Sequence, residues 1–431
     1  MTPAQIAAIL IFAVTFILIL SERLHRTIAA MLGATAMLAI GLFFGFYNQE
    51  EALQAIDFNT LGLLLGMMIM VRLLEETGFF QYLAILTAKR SRGNPWFLLV
   101  ILGTTTTVLS MFLDNVTTVI LIAPVTILVA DVLAISPVPL LMAEALLSDT
   151  GGVATLVGDP PNVIIASAAG FSFNDFLTHL APLVAVAWLV ALVLLRFVFR
   201  RELRQNSREL EALLRLDENE ALHDRHTLRK ALIVLGLVIL AFFFAESYHV
   251  TPSTVALAGA ALALLWVRPD IDKTLQHLEW SVLAFFAALF VTVGGLEASG
   301  VLTSLAGRVA DLANESLLEA SLALLWVGAI TSAVVDNIPF TIALIPLIQQ
   351  LGALGIPTAP LFWALALGAG FGGNGTPIGS TANVVVVSLS EKTRQPITTK
   401  IWLRSGLPVM VATCLVASIL FYLFFNWMMT P

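Results

Sequence analysis

The sequence predicts an all-α integral membrane protein built from two inverted-topology repeats. Three observations carry the prediction: long apolar runs, an internal repeat displaced by 222 or 221 positions, and basic residues gathered in one set of loops. Of 431 residues, 58% are hydrophobic and 12% charged, against roughly 25% charged in an ordinary soluble domain. That composition leaves no room for a soluble catalytic domain, so the chain is not expected to be an enzyme.

Taken in order, Ala4–Leu20, Thr27–Tyr47, Trp280–Leu296 and Leu407–Trp427 approach or exceed the roughly 20 apolar residues that span a bilayer core. The first run lacks a basic leader and a small-residue cleavage site before Ser21-Glu22-Arg23, so it is expected to remain as a helix. Each half should then hold three helices, a re-entrant hairpin, a broken helix and a closing helix, giving about 10 crossings plus two hairpins. The first repeat takes residues 1–199, with its hairpin at 96–134 around the tip Asp114-Asn115. Its broken helix, 138–169, opens between Gly151 and Asn162. Residues 200–230 form a linker whose alternating charges suggest a solvated cytoplasmic helix. The second repeat takes residues 231–431, with its hairpin at 317–353 around Asp336–Pro339 and its broken helix at 358–390, open between Gly370 and Asn383.

The repeat rests on three blocks. Leu74–Gly78 recurs as Leu296–Gly300, and "SMFLDNVTTVILIAP", ending at Pro124, recurs as "SAVVDNIPFTIALIP", ending at Pro346. One position out of step, "GGVATLVGDPPNVIIASA" from Gly151 recurs as "GGNGTPIGSTANVVVVSL" from Gly372. These blocks are polar and glycine-rich interruptions of apolar segments. In lipid, such backbone is tolerated only where it faces protein or a watery cavity. Paired interruptions in two halves point to the binding site of a secondary transporter.

An odd number of crossings per half forces the second half to be inverted. Loops assigned to one face then hold every Lys and Arg except Arg72 and Arg308. The positive-inside rule makes that face cytoplasmic and puts both termini outside. The net charge of −7 adds little. The single thiol, Cys414, makes neither a disulfide framework nor a thiolate metal site, the six histidines form no HExxH pattern, and no GxxxxGK[ST] loop is present. No cofactor, metal site or nucleic-acid partner is expected.

Ionisable groups within a membrane cost about 2.5–3.5 kcal/mol each on insertion scales, so each needs a reason. Asp114 and Asp336 head the returning helices of the hairpins, where they can both cap the helix and meet solute at its positive end. Asn115, Thr117, Thr155, Gly158 and Asn162 join Asp114 as candidate substrate ligands in the first half. Asn337, Thr376, Gly379 and Asn383 join Asp336 in the second. Asp159, before Pro160-Pro161, reads first as a helix cap, and its counterpart is Ser380. Asp149 has Gly370 as its counterpart, so fold symmetry does not explain it; it is the first candidate for proton coupling, with Asp114 and Asp336 next. Glu75 and Glu297 read as interface anchors, and Arg72 can pair with Glu76 one turn on. A membrane-embedded aspartyl protease would need a GxGD signature, absent at Asp114, Asp149, Asp159 and Asp336.

The stretches "LDNVTTV", "GDPPN", "DNIP" and "GNGTPIGSTAN" resemble the ion transporter superfamily of ArsB permeases, NhaD-type sodium/proton antiporters and citrate or dicarboxylate carriers, most of all its bacterial ArsB and P-protein branch. The likeness runs from about Thr27 to Trp427. It implies a scaffold plus a moving domain of hairpins and broken helices in the inner membrane of a prokaryote. Where dicarboxylate carriers place Ser at the hairpin tips, this chain has Asp, which argues against a multiply anionic substrate. The expected function is proton-coupled efflux of arsenite or antimonite, with sodium/proton antiport as the alternative and citrate carriage behind both. A homodimer and a cytoplasmic ATPase docked on the linker remain open as partners, and a channel would be told from a carrier by uptake against a gradient.

Overall fold

A computed structural model of the chain describes residues 1–21, 23–204 and 217–430. The first half runs α1 (Pro3–Leu20), α2 (Arg26–Phe44), α3 (Gln49–Gln54), α4 (Phe58–Glu75), α5 (Phe79–Arg90), α6 (Pro95–Ser110), α7 (Asn115–Val132), α8 (Val138–Gly152), α9 (Pro160–Ala169) and α10 (Phe173–Val198). The second half runs α11 (Arg225–Ala245), α12 (Pro252–Val267), α13 (Ile271–Gln276), α14 (Trp280–Ala298), α15 (Val301–Glu315), α16 (Leu317–Ser332), α17 (Asn337–Ala353), α18 (Ala359–Gly372), α19 (Thr381–Ser390) and α20 (Thr399–Leu423), and ends in the short α21 (Phe425–Met428). Helix for helix, α11–α20 repeats the order of α1–α10, and no strand occurs among the described residues. Eight described helices are long and apolar enough to cross a membrane.

Local sequence sets the boundaries. Capping boxes at Thr2, Asn48 and Ser172 start α1, α3 and α10, each satisfying two otherwise orphaned backbone donors. Asn48 and Asp270 cap α3 and α13 at corresponding places in the two halves, and Asp57 caps α4. Arg225–Lys230, which the sequence reading puts in the linker, instead open α11, with Asp224 as cap. Linker residues 205–216, part of the stretch where a solvated helix is expected, lie outside the described residues.

The helices sort into two groups. In one, α2 packs along α14 and α4 along α12, flanked by α1 and α11. In the other, α6 packs on α8, α16 on α18 and α10 on α20. Two helices absent from the sequence reading, α5 and α15, run beside the hairpins α6–α7 and α16–α17 respectively. The hairpin group is also crossed: α19 of the second half lies along α7 of the first, and α9 of the first along α17 of the second. That crossing decides which residues meet at the centre.

Candidate functional site

Four helices begin at one place. The N-termini of α7, α9, α17 and α19 follow Asp114, Asp159, Asp336 and Ser380. Each terminus carries roughly half a positive charge from its aligned peptide dipoles. Around them stand the carboxylates.

Asp149, at the end of α8, is buried and accepts the Asn115 amide at 2.8 Å and the Ser380 hydroxyl at 3.2 Å. Asp159 is equally buried and accepts the Asn337 amide at 3.2 Å. A Cβ built on Gly370 would lie 3.6 Å from the Asp159 carboxylate. The two groupings are counterparts: Asn115, Asp149 and Ser380 correspond to Asn337, Gly370 and Asp159. The carboxylate sits on the helix before the break in one grouping and on the helix after the break in the other. Asp149 therefore does have a spatial counterpart, in Asp159 rather than at its repeat position. The reading of Asp159 as a cap is corrected here, since its side chain makes no capping bond to α9 and reaches across to α17 instead.

Several predicted ligands serve the framework. The Thr155 hydroxyl donates to the Met111 carbonyl, and Thr376 does the same to Ala333. Asn162 donates to the carbonyls of Val153 and Thr155, at 3.2 and 2.8 Å, and Asn383 to those of Gly373 and Thr376, at 2.8 and 3.2 Å. A Cβ on Gly158 would meet the Gly152 oxygen at 2.5 Å, and one on Gly379 the Gly373 oxygen at 2.5 Å. These contacts hold the breaks open and close-packed. The Asn383 Oδ1 is buried without a hydrogen-bond partner among the described residues.

The hairpin tips differ from one another. Asp114 accepts the Thr117 amide at 2.8 Å and caps α7, with no ion pair among the described residues. Asp336 accepts the Ile338 amide at 3.3 Å, the Thr381 hydroxyl at 3.1 Å and the Arg26 guanidinium at 3.0 Å. Arg26 also donates to Thr381 at 2.8 Å and lies over the Phe285 ring. Asp336 is thus a paired carboxylate. Arg26, Asp114, Glu279 and Thr381 line a narrow cavity of about 60 Å³ between the two helix groups. A wider cavity of about 550 Å³, lined by Asp57, Glu297, Ser167 and Gln349, lies at the other ends of α4, α9 and α14.

Sequence reading missed Arg26, Glu279 and Glu144. Arg26 was counted among the loop charges of the basic face, and only tertiary packing shows it lining the narrow cavity together with Glu279. Glu144, fully buried on α8, had a visible signal as the one acid within the apolar stretch Val138–Leu147. Arg72 pairs with Glu76 at 3.1 Å as expected, and with Glu75 at 2.8 Å besides.

Residues 16–368 match the citrate transporter family. The chain is 41% identical over 426 residues to a 46 kDa membrane protein of Mycobacterium leprae, covering 97% of this chain and 98% of that one. An uncharacterized transporter of Mycobacterium tuberculosis is 40% identical over 425 residues, with the same coverage. The human P protein is 34% identical over 487 residues, 94% of this chain but 58% of the P protein. In fold, the chain is similar to the YdaH transporter of Alcanivorax borkumensis, at a TM-score of 0.60 and 16% identity, over 99% of this chain and 100% of that one.

Proposed function

The chain belongs to the citrate transporter family of the ion transporter superfamily and is a multi-pass membrane transporter, and from that premise we propose that it couples proton entry to the efflux of a small, uncharged, weakly acidic solute, arsenite or antimonite. The observation that carries this reading is the balance of charge at the centre. Asp114, Asp149, Asp159 and Glu279 stand there with Asp336, and the one cation among them, Arg26, is bonded to Asp336. A tricarboxylate would add like charge to these acids, at a cost of about 4 kcal/mol for each pair of charges 4 Å apart near a protein surface. An uncharged solute bearing hydroxyls would instead donate hydrogen bonds to carboxylate and amide oxygens.

In this proposal the α2–α4–α12–α14 group stays fixed and the hairpin group moves. The two halves have opposite orientation, both termini are outside, and the basic loops are cytoplasmic. The wide cavity then opens outward and the narrow one lies on the cytoplasmic side. Asp149 and Asp159 exchange protons as access alternates.

Sodium/proton antiport is the second reading. It is favoured by buried oxygens without hydrogen-bond partners among the described residues, Asp149 Oδ2, Asn374 Oδ1 and Asn383 Oδ1, because hard cations take carboxylate and carbonyl oxygens. Proteoliposomes with an imposed pH gradient, offered radiolabelled or fluorescence-reported arsenite, sodium and citrate in turn, test the proposal. Arsenite movement with proton counterflow supports it, sodium movement selects the second reading, and citrate movement alone contradicts both.

A further inference from the structure

We propose that Glu144 is a one-sided proton relay that links Asp149 to the cytoplasmic base of the first hairpin. The inference deepens the proton-coupled reading and rests on it.

Glu144 is fully buried in α8. Its Oε1 accepts the Thr126 hydroxyl from α7, while Oε2 has no partner among the described residues. At 1.5 Å per residue, Glu144 lies about 9 Å into α8 from Val138 and about 7.5 Å short of Asp149. It therefore stands near the middle of the path between the helix base and the central carboxylate. One turn further, on the same face, the Ser148 hydroxyl is also buried without a partner, and its neighbour in sequence is Asp149, whose Oδ2 is unpartnered too. Buried polar atoms left unpaired are rare and call for a reason. Three of them spaced along one helix toward the centre form a path of proton-exchanging groups.

Among the described residues no charged side chain bonds to Glu144. On its own helix the other acid is Asp149. Of the elements packed against α8, helices α6, α18 and α19 carry no titratable side chain. Helix α7 carries Asp131, α10 carries Asp175, His179 and Arg196, and α20 carries Lys400, Arg404, Cys414 and Tyr422. None of these is bonded to Glu144, whose hydrogen bond is to Thr126. A buried carboxyl with one oxygen unpartnered lowers stability, which a purely structural role does not explain.

The counterpart of Glu144 in the second half is Leu365, and that of Ser148 is Ala369. The path therefore exists on one side of the centre only. On the other side the wide cavity, about 550 Å³, brings water close to α9 directly. The asymmetry fits a centre reached through water from outside and through side chains from inside. In the step itself, Asp149 gives its proton to the Ser148 hydroxyl, which passes its own proton through intervening water to a Glu144 carboxylate. Glu144 then releases it at the hairpin base, and Asp149 is reloaded with a proton from the outer side, by way of the wide cavity.

The test uses the full chain in proteoliposomes carrying a trapped pH dye, with arsenite or sodium as the probe. Glu144→Gln keeps the shape and the bond to Thr126 but cannot transfer a proton. We expect solute-driven proton flux to fall at least tenfold, while solute counterflow at equal pH stays within twofold of the parent. Glu144→Leu, which takes the residue of the second half, should show the same split. Unchanged proton flux in Glu144→Gln overturns the relay. So does loss of counterflow together with flux in folded protein, which would make Glu144 structural. A solute-independent arm separates this from failure of the transport reading: pH-difference infrared spectra of the parent in lipid should contain a protonated-carboxyl band that Glu144→Gln lacks. Identical spectra overturn the relay even if neither probe is carried.

Discussion

Asp149 and Asp159 lie ten residues apart in one half of the chain, yet occupy corresponding places about the centre of the molecule, each accepting an amide from a different hairpin tip. Asn115 serves Asp149 from the same half, and Asn337 serves Asp159 from the other. The crossing of α9 onto α17 and of α19 onto α7 produces this arrangement. Both buried acids thus come from one half, although the frame around them is twofold.

The pairing of Arg26 with Asp336 ties α2 to the second hairpin tip. Arg26→Gln should lower thermal stability in detergent by about 1.5–3 kcal/mol, the range for hydrogen bonds to charged groups. It should also slow transport, since Asp336 would then repel the other acids. Asp336→Asn in the Arg26→Gln background should recover part of the stability loss. Additive losses in the double variant would show that the pair is not coupled.

The linker segment docks on the first half. Glu218 bonds to Lys89 of α5, and the His223 amide donates to the Thr77 carbonyl at 3.0 Å. The Lys89 ammonium holds the Glu218 carboxyl below its ordinary range. A carboxyl depressed in the folded state stabilises docking above its unfolded value, about 4.3, and the contribution fades as pH falls through the lower folded value. Proteolysis of the linker should accordingly accelerate at acid pH in the parent. Glu218→Gln should be cleaved faster at neutral pH and show a flatter response.

Topology is open to direct labelling. Cys414 is buried, so Cys414→Ser supplies a silent background that should keep most transport. In it, Glu220→Cys should react with an impermeant maleimide only after the cytoplasmic face is opened. Labelling in intact cells would reverse the orientation and, with it, the assignment of the wide cavity to the outside.

How much of this was legible in the sequence depends on the range of the interaction. The hairpin tips, the breaks and the caps are local, set by Asp114-Asn115, Asp336-Asn337, Gly158 and Gly379 within a few residues, and the repeat made them conspicuous. The apolar runs likewise announced the spanning helices. The mutual placement of the breaks is not local. Asp159 looked like a cap because Asp-Pro-Pro starts helices, and only the packing of α9 on α17 shows it facing Asn337. Arg26 looked like one more basic loop residue until α2 brought it to Asp336 across more than 300 positions of sequence. Amides such as Asn162 carry no mark in sequence of whether they will meet solute or backbone carbonyls; here they meet carbonyls.

The central claim is that Asp149 carries the proton. Its most direct test is Asp149→Asn in proteoliposomes, compared with the parent for arsenite counterflow at equal pH and for arsenite accumulation driven by a pH gradient. The side-chain amide preserves shape and hydrogen-bonding capacity but cannot titrate, and the proton it no longer moves is worth about 2.3 kcal/mol per 100 mV of membrane potential. The account predicts counterflow near the parent rate with gradient-driven accumulation reduced at least tenfold. Accumulation equal to the parent's in the same gradient would contradict it.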